Sequence, residues 1–207
     1  MTIEVWLAYA VAATIIVVIP GPTILLVVTQ SLTHGKPATV PLVLGVMLGD
    51  SVAVCVSLLG LGALLSASAE LFSIVKWIGA AYLIYLGISL WRTPPNKIEA
   101  SDDVAGKSSR KLFMHAFIVT TFNPKGIIFF IAFLPQFVNS AFEAAPQFVI
   151  LATTFVVIGT LNAALYAIFS GQLKRLLERD NARRWFNRCG GSALMGAGLV
   201  TAMVQRG

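Results

Sequence analysis

Long apolar stretches separated by short polar ones dominate the chain. A helix needs roughly 20 predominantly apolar residues to cross a bilayer. Six runs qualify: 5–30, 39–65, 71–91, 112–134, 147–170 and 187–204, the last glycine-rich and short. The expected fold is therefore all-α, a polytopic membrane protein with six transmembrane helices. The first run, "ATIIVVIPGPTILLVV", carries Pro20, Gly21 and Pro22 at its centre. The fourth contains "TTFNPKGIIFF", with Asn123, Pro124 and Lys125 near its middle. Proline removes a backbone donor and collides with the preceding turn, whereas Asn is a strong N-cap and Pro is favoured at the first helical position. Helices 1 and 4 are thus predicted to break in mid-membrane. Irregular backbone persists at that depth only where protein covers it or a water-filled cavity wets it.

The two interrupted helices lead two sets of three spans. Three is odd, so the sets insert in opposite orientations, giving two inverted three-helix repeats: residues 1–91 and 112–207, joined by the polar linker 92–111. Broken helices at corresponding positions of inverted halves point to the binding site of a transporter. A weaker echo links the third and sixth spans. "WIGAAYLIYLG" holds Gly79 and Gly87, "CGGSALMGAG" holds Gly190 and Gly198 at the same spacing, and Leu83 matches Leu194. The stretch 172–188, "QLKRLLERDNARRWFNR", has leucines at helical spacing and reads equally as a short interfacial helix or a charged linker.

Composition agrees with a membrane protein. The chain is 57% hydrophobic and 12% charged, with mean hydropathy +0.83, too apolar for an ordinary soluble domain. A net charge of +6 would suit a nucleic-acid binder, but its distribution says otherwise. Of the 15 Lys and Arg, 12 follow the first, third and fifth spans. Basic loops face the cytoplasm, so both termini are expected to be periplasmic and no nucleic-acid partner is implied. Glu4 and the length of the first apolar run argue against a cleaved signal peptide. Trp6, Trp91 and Trp185 fall near span ends, where amphipathic rings favour the headgroup layer. Cys55 and Cys189 form no CxxC pair and read as small buried hydrophobes.

Apart from Arg188 at the start of the last run, three charges fall inside the spans. Asp50, in "GVMLGDSVAV", is the one acid there, and an intramembrane acid is by default functional. Gly45 and Gly49 beside it form a GxxxG that admits close helix approach. Lys125 sits at the start of a half-helix, where the macrodipole is already positive. It needs an anion, either Asp50 or a substrate carboxylate; a purely structural Asp50–Lys125 pair is the plain alternative. Lys76 is close enough to the outer end of its span to snorkel. Tyr82 and Asn162 read as hydrogen-bonding partners of a solute or as glue between helices.

"PGP", "GVMLGD", "KWIGAAYLIYLGISLWR" and "NPKGIIFFIAFLPQF", in that order, resemble the lysine-exporter/homoserine–threonine-exporter (LysE/RhtB) family of bacterial amino-acid efflux proteins. The resemblance covers nearly the whole chain. It implies a multi-pass transporter of the bacterial inner (plasma) membrane, not an enzyme, that exports amino acids or similar zwitterionic solutes by proton antiport without a cofactor. The third-span motif adds weight to Lys76, Gly79, Tyr82 and Gly87. Members often carry an asparagine or another small polar residue after the second proline; here it is Thr23.

Together these expectations put Pro20, Gly21, Pro22, Thr23, Asn123, Pro124 and Lys125 around a solute carboxylate. Asp50 would hold the ammonium or the coupling proton, with Lys76, Tyr82 and Asn162 in support. The partners implied are an amino acid, protons and the bilayer; a homo-oligomer stays open. Rival classes are a divalent-metal or other small-ion exporter, which would want clustered intramembrane acids and histidines, and a passive channel. A thiol–disulfide enzyme would need cysteines beside the breaks, and none is there.

Overall fold

A computed structural model describes residues 1–67, 69–92, 108–139, 142–172 and 180–203. The chain runs as α1 (Ile3–Val18), α2 (Pro22–His34), a 3-10 turn (Lys36–Ala38), α3 (Thr39–Ala67), α4 (Ala69–Arg92), α5 (Ser109–Thr121) and α6 (Pro124–Ile128). A π turn (Phe129–Phe133) and a 3-10 turn (Leu134–Phe137) continue α6, and α7 (Ala144–Ile168) and α8 (Asp180–Met203) complete the order. The described residues contain no strand, so the all-α expectation holds. Most of the linker 92–111, and residues 173–179 of the stretch expected as an interfacial helix or charged linker, lie outside the described residues.

Lys36–Gly60, Ser109–Phe137 and Ala144–Ile168 are long and apolar enough to cross a membrane. Ile3–Val18 and Pro22–His34, bent by 54° at their junction, make a fourth span when taken together. The runs 71–91 and 187–204 fall on α4 and α8, helices of 24 residues each. Large apolar side chains such as Leu7, Val11, Leu59, Ile78 and Leu165 point outward. Such a surface suits lipid, whose tails are as apolar as leucine. Cys55 and Cys189 belong to it: both are exposed, not buried as their apolar neighbourhoods suggested. In lipid an apolar side chain has little reason to turn inward.

Both predicted breaks are present. α1 stops at Val18, with Ile19 N–H making the last bond to Ile15 O at 3.3 Å. Pro20 cannot donate, Gly21 caps α2 in an extended conformation, and Pro22 opens that helix. Gly35 closes α2 with φ +68°, a left-handed position that favours glycine. In the second half, Phe122 ends α5, Asn123 caps α6 by accepting from Lys125 N–H at 3.1 Å, and Pro124 takes the first helical position.

Glycines set the closest packing. At Gly45 an added Cβ would lie 2.5 Å from Phe113 O, and at Gly49 it would lie 2.9 Å from Phe117 O, so α5 rests on the α3 backbone. α4 and α8 pair in the same way at Gly87, Gly191 and Gly198; Gly87 and Gly198 are two of the four glycines of the third- and sixth-span echo, and Gly191 adjoins a third. Between the helix pairs lies an aromatic core of Tyr9, Phe129, Phe130, Phe133 and Phe155. Its rings meet edge-on or tilted, as at Phe130–Phe155 with centroids 4.6 Å apart, the arrangement ring quadrupoles favour.

Gly87→Val forces β-branched bulk where a Cβ would already meet Gly191 O at 2.5 Å. It is expected to lower stability by about 1–3 kcal/mol, read as earlier thermal unfolding in detergent. Gly60→Ala, with nothing within 4 Å of its added Cβ, leaves unfolding unchanged or slightly later.

Candidate functional site

The break in α1 leaves carbonyls without donors. An uninterrupted helix would bond the carbonyls of Ile16, Val17 and Val18 to the N–H groups four residues on. Two of those positions are Pro20 and Pro22, which have none. Side chains from the second half fill the deficit. Lys125 Nζ donates to Ile16 O at 2.9 Å and to Ile19 O at 2.7 Å. Asn162 Nδ2 donates to Val17 O at 3.2 Å, and Tyr166 Oη donates to Val18 O at 2.8 Å. A C-terminal helix end carries negative potential that favours a cation. The ammonium of Lys125 is thus held by the α1 backbone. Asp50 lines the same cavity as Lys125, and among the described contacts no direct ion pair joins the two.

The two breaks also touch one another. The Thr23 hydroxyl oxygen accepts from Asn123 Nδ2 at 3.1 Å and from the Thr120 hydroxyl at 3.3 Å. Thr23 and Asn123 are buried. Gly21 lies so close to Lys125 that a Cβ there would sit 3.2 Å from Nζ. Thr23 thus ties break to break.

Two cavities meet at this junction. The smaller, of about 40 Å³, is lined by Asp50, Thr23, Asn123 and Lys125 with Ile24, Val46, Phe155 and Gly159. One water needs ~10–15 Å³, so this cavity has room for a few waters. The larger, of about 400 Å³, is lined by Pro20, Gly21, Pro22, Tyr82, Ser89, Asn123, Pro124 and Lys125 over an apolar base that includes Leu25, Leu86 and Leu194. A mostly apolar cleft of roughly 300–1,000 Å³ with a few polar groups is what a small-molecule site requires. Asn123 and Lys125 belong to both cavities.

The structure thus gathers Pro20, Gly21, Pro22, Thr23, Asp50, Tyr82, Asn123, Pro124 and Lys125 around adjoining spaces. Asn162 lines neither and serves as a cap. Lys76 sits on α4, but its side chain lies outside the described residues. His34 occupies the last turn of α2, with ring nitrogen Nδ1 3.2 Å from Gln30 O.

Sequence inspection missed Tyr166 and Gly159. Gly159, Asn162 and Tyr166 recur at three- and four-residue spacing, one face of α7, so the polar Asn162 could have led to both. An added Cβ at Gly159 would lie 2.6 Å from Asp50 Oδ2; the carboxylate rests on bare backbone.

A helical membrane protein whose broken helices meet around adjoining cavities, mostly apolar with a few polar groups, has the build of a solute transporter. Residues 14–205 match the family described as LysE type translocator, and the chain belongs to that family; it is a transporter, not an enzyme. It is 32% identical over 205 residues to a homoserine/homoserine lactone efflux protein of Salmonella typhimurium, covering 99% of each chain. It is 35% identical over 165 residues to a leucine efflux protein of Enterobacter sp., covering 79% of this chain and 77% of the relative. An uncharacterized membrane protein of Vibrio cholerae is 33% identical over 207 residues, covering 99% of this chain and all of its own. No solved structure matches the chain.

Tyr166→Phe deletes the donor to Val18 O and little else. It should cost about 1 kcal/mol, visible as a thermal midpoint lower by about 2–4 °C. An unchanged midpoint would show that water caps that carbonyl equally well.

Proposed function

We propose that this transporter moves amino acids or related small zwitterionic solutes out of the cytoplasm by proton antiport across a bacterial inner (plasma) membrane. In this reading it spans that membrane six times, as inverted halves 1–91 and 112–207 around the linker 92–111, with both termini periplasmic. The pattern of packing supports inverted halves: α5 lies on α3 while α1 and α2 lie on α7, the exchange a pseudo-twofold axis would produce.

The observation that carries the reading is the meeting of a solute-sized cavity and a small acidic one at Asn123 and Lys125. The larger cavity reaches Ser89 and Leu90, near the basic end of α4; by the distribution of charge that end is cytoplasmic. Relatives named as homoserine/homoserine lactone and leucine efflux proteins agree with an amino acid or a related small solute. In the mechanism the solute enters the larger cavity beside Tyr82. Its carboxylate is drawn by the Lys125 charge and by the N-terminal end of α2 past Pro22. Its ammonium then exchanges with a proton at Asp50, and one half rocks against the other to change access. Lys76, on the same helix as Tyr82, is retained as a further solute or coupling contact.

Proteoliposomes loaded with single amino acids are the direct test. Release should accelerate when the outside is made more acidic than the lumen and return to baseline with a protonophore; release indifferent to the gradient rules out proton antiport. Asp50→Asn should abolish gradient-driven release while the protein stays folded in the membrane, and wild-type rates in that variant would remove Asp50 from the coupling role. Gly159→Ala displaces the Asp50 carboxylate, since the new Cβ would meet it at 2.6 Å. A loss of at least about tenfold in release is expected, with thermal unfolding close to wild type.

A further inference from the structure

In broken-helix transporters, unwound carbonyls and the C-terminal ends of half-helices coordinate the coupling sodium ion. The end of α1 has that chemistry. The carbonyls of Ile16 and Ile19 converge on one point at the edge of two cavities, and Pro20 removes the N–H that Ile16 O would otherwise accept. A cation already stands there: the ammonium of Lys125, donating at 2.9 and 2.7 Å. Its stem enters from α6, in the other half of the chain, over Gly21, where the missing side chain leaves Nζ its space.

We propose that the C-terminus of α1 is a monovalent-cation site permanently filled by the chain's own Lys125 ammonium, a tethered substitute for a dissociable sodium ion. Two consequences follow. The site becomes open to a small free ammonium ion when the tethered one is removed. Wild-type protein has no use for sodium, because the position it would take is occupied. The first consequence rests on the geometry alone. The second rests on the exporter reading, since it is expressed in transport.

The test uses the full-length protein, purified in detergent, and methylammonium chloride as the probe, with N-methylglucamine chloride as the ionic-strength control. Lys125→Ala should unfold at a lower temperature than wild type. Methylammonium should then raise its midpoint by about 2–4 °C, while wild type does not respond. Equal responses of the two proteins, or none in Lys125→Ala, overturn the cation site. If the variant is lost on extraction, the same comparison is read as yield of monodisperse protein. About threefold more is expected in methylammonium than in the control, and equal yields overturn the proposal. In proteoliposomes, wild-type efflux should proceed equally in sodium and in N-methylglucamine; dependence on sodium overturns the substitution. Because the thermal readout requires no solute, a cation response without amino-acid efflux would refute the exporter reading and leave the site standing.

Discussion

The structure depends on one constraint: a helix that ends inside lipid must find donors for its last carbonyls. Pro20 and Pro22 remove two of the N–H groups that would have served α1, and an unsatisfied backbone group at that depth costs several kcal/mol. Lys125, Asn162 and Tyr166 answer for Ile16, Val17, Val18 and Ile19. All three donors come from beyond residue 112, so the first half is completed by the second. The break and the packing of α1 against α6 and α7 are one problem with one solution.

That solution also locates the chemistry. The donor that spans from α6 to α1 stands between the larger cavity and the one that holds Asp50. α7 serves twice on a single face, capping α1 through Asn162 and Tyr166 and seating Asp50 against Gly159. Thr23 and Asn123 close the junction with a direct hydrogen bond. The polar groups buried here are largely paired within the protein, as polar groups in an apolar solvent must be.

Much of this was legible in the sequence because it is written in residues with few conformational choices. Proline cannot donate and Asn–Pro writes a helix start, so both breaks and the cap at Asn123 followed from "IPGPT" and "FNPKG". Gly45 and Gly49 announced a close neighbour, and α5 occupies that place. The carbonyls that Lys125 serves were not legible, because a backbone carbonyl leaves no letter in the sequence. Tyr166 was missed for the same reason: its hydroxyl serves a carbonyl more than a hundred residues away. The outward turn of Cys55 and Cys189 escaped prediction because hydrophobicity does not tell lipid from core.

The glycine contacts carry a mechanical consequence. Where backbone lies on backbone, as between α3 and α5 and between α4 and α8, the interface has no long side chains to flex and behaves as a stiff plate. Along α1 the filling is incomplete: crevices of about 220 and 190 Å³ separate it from α8 beside Ala193. Those crevices leave room for shear next to the helix whose end is held by Lys125.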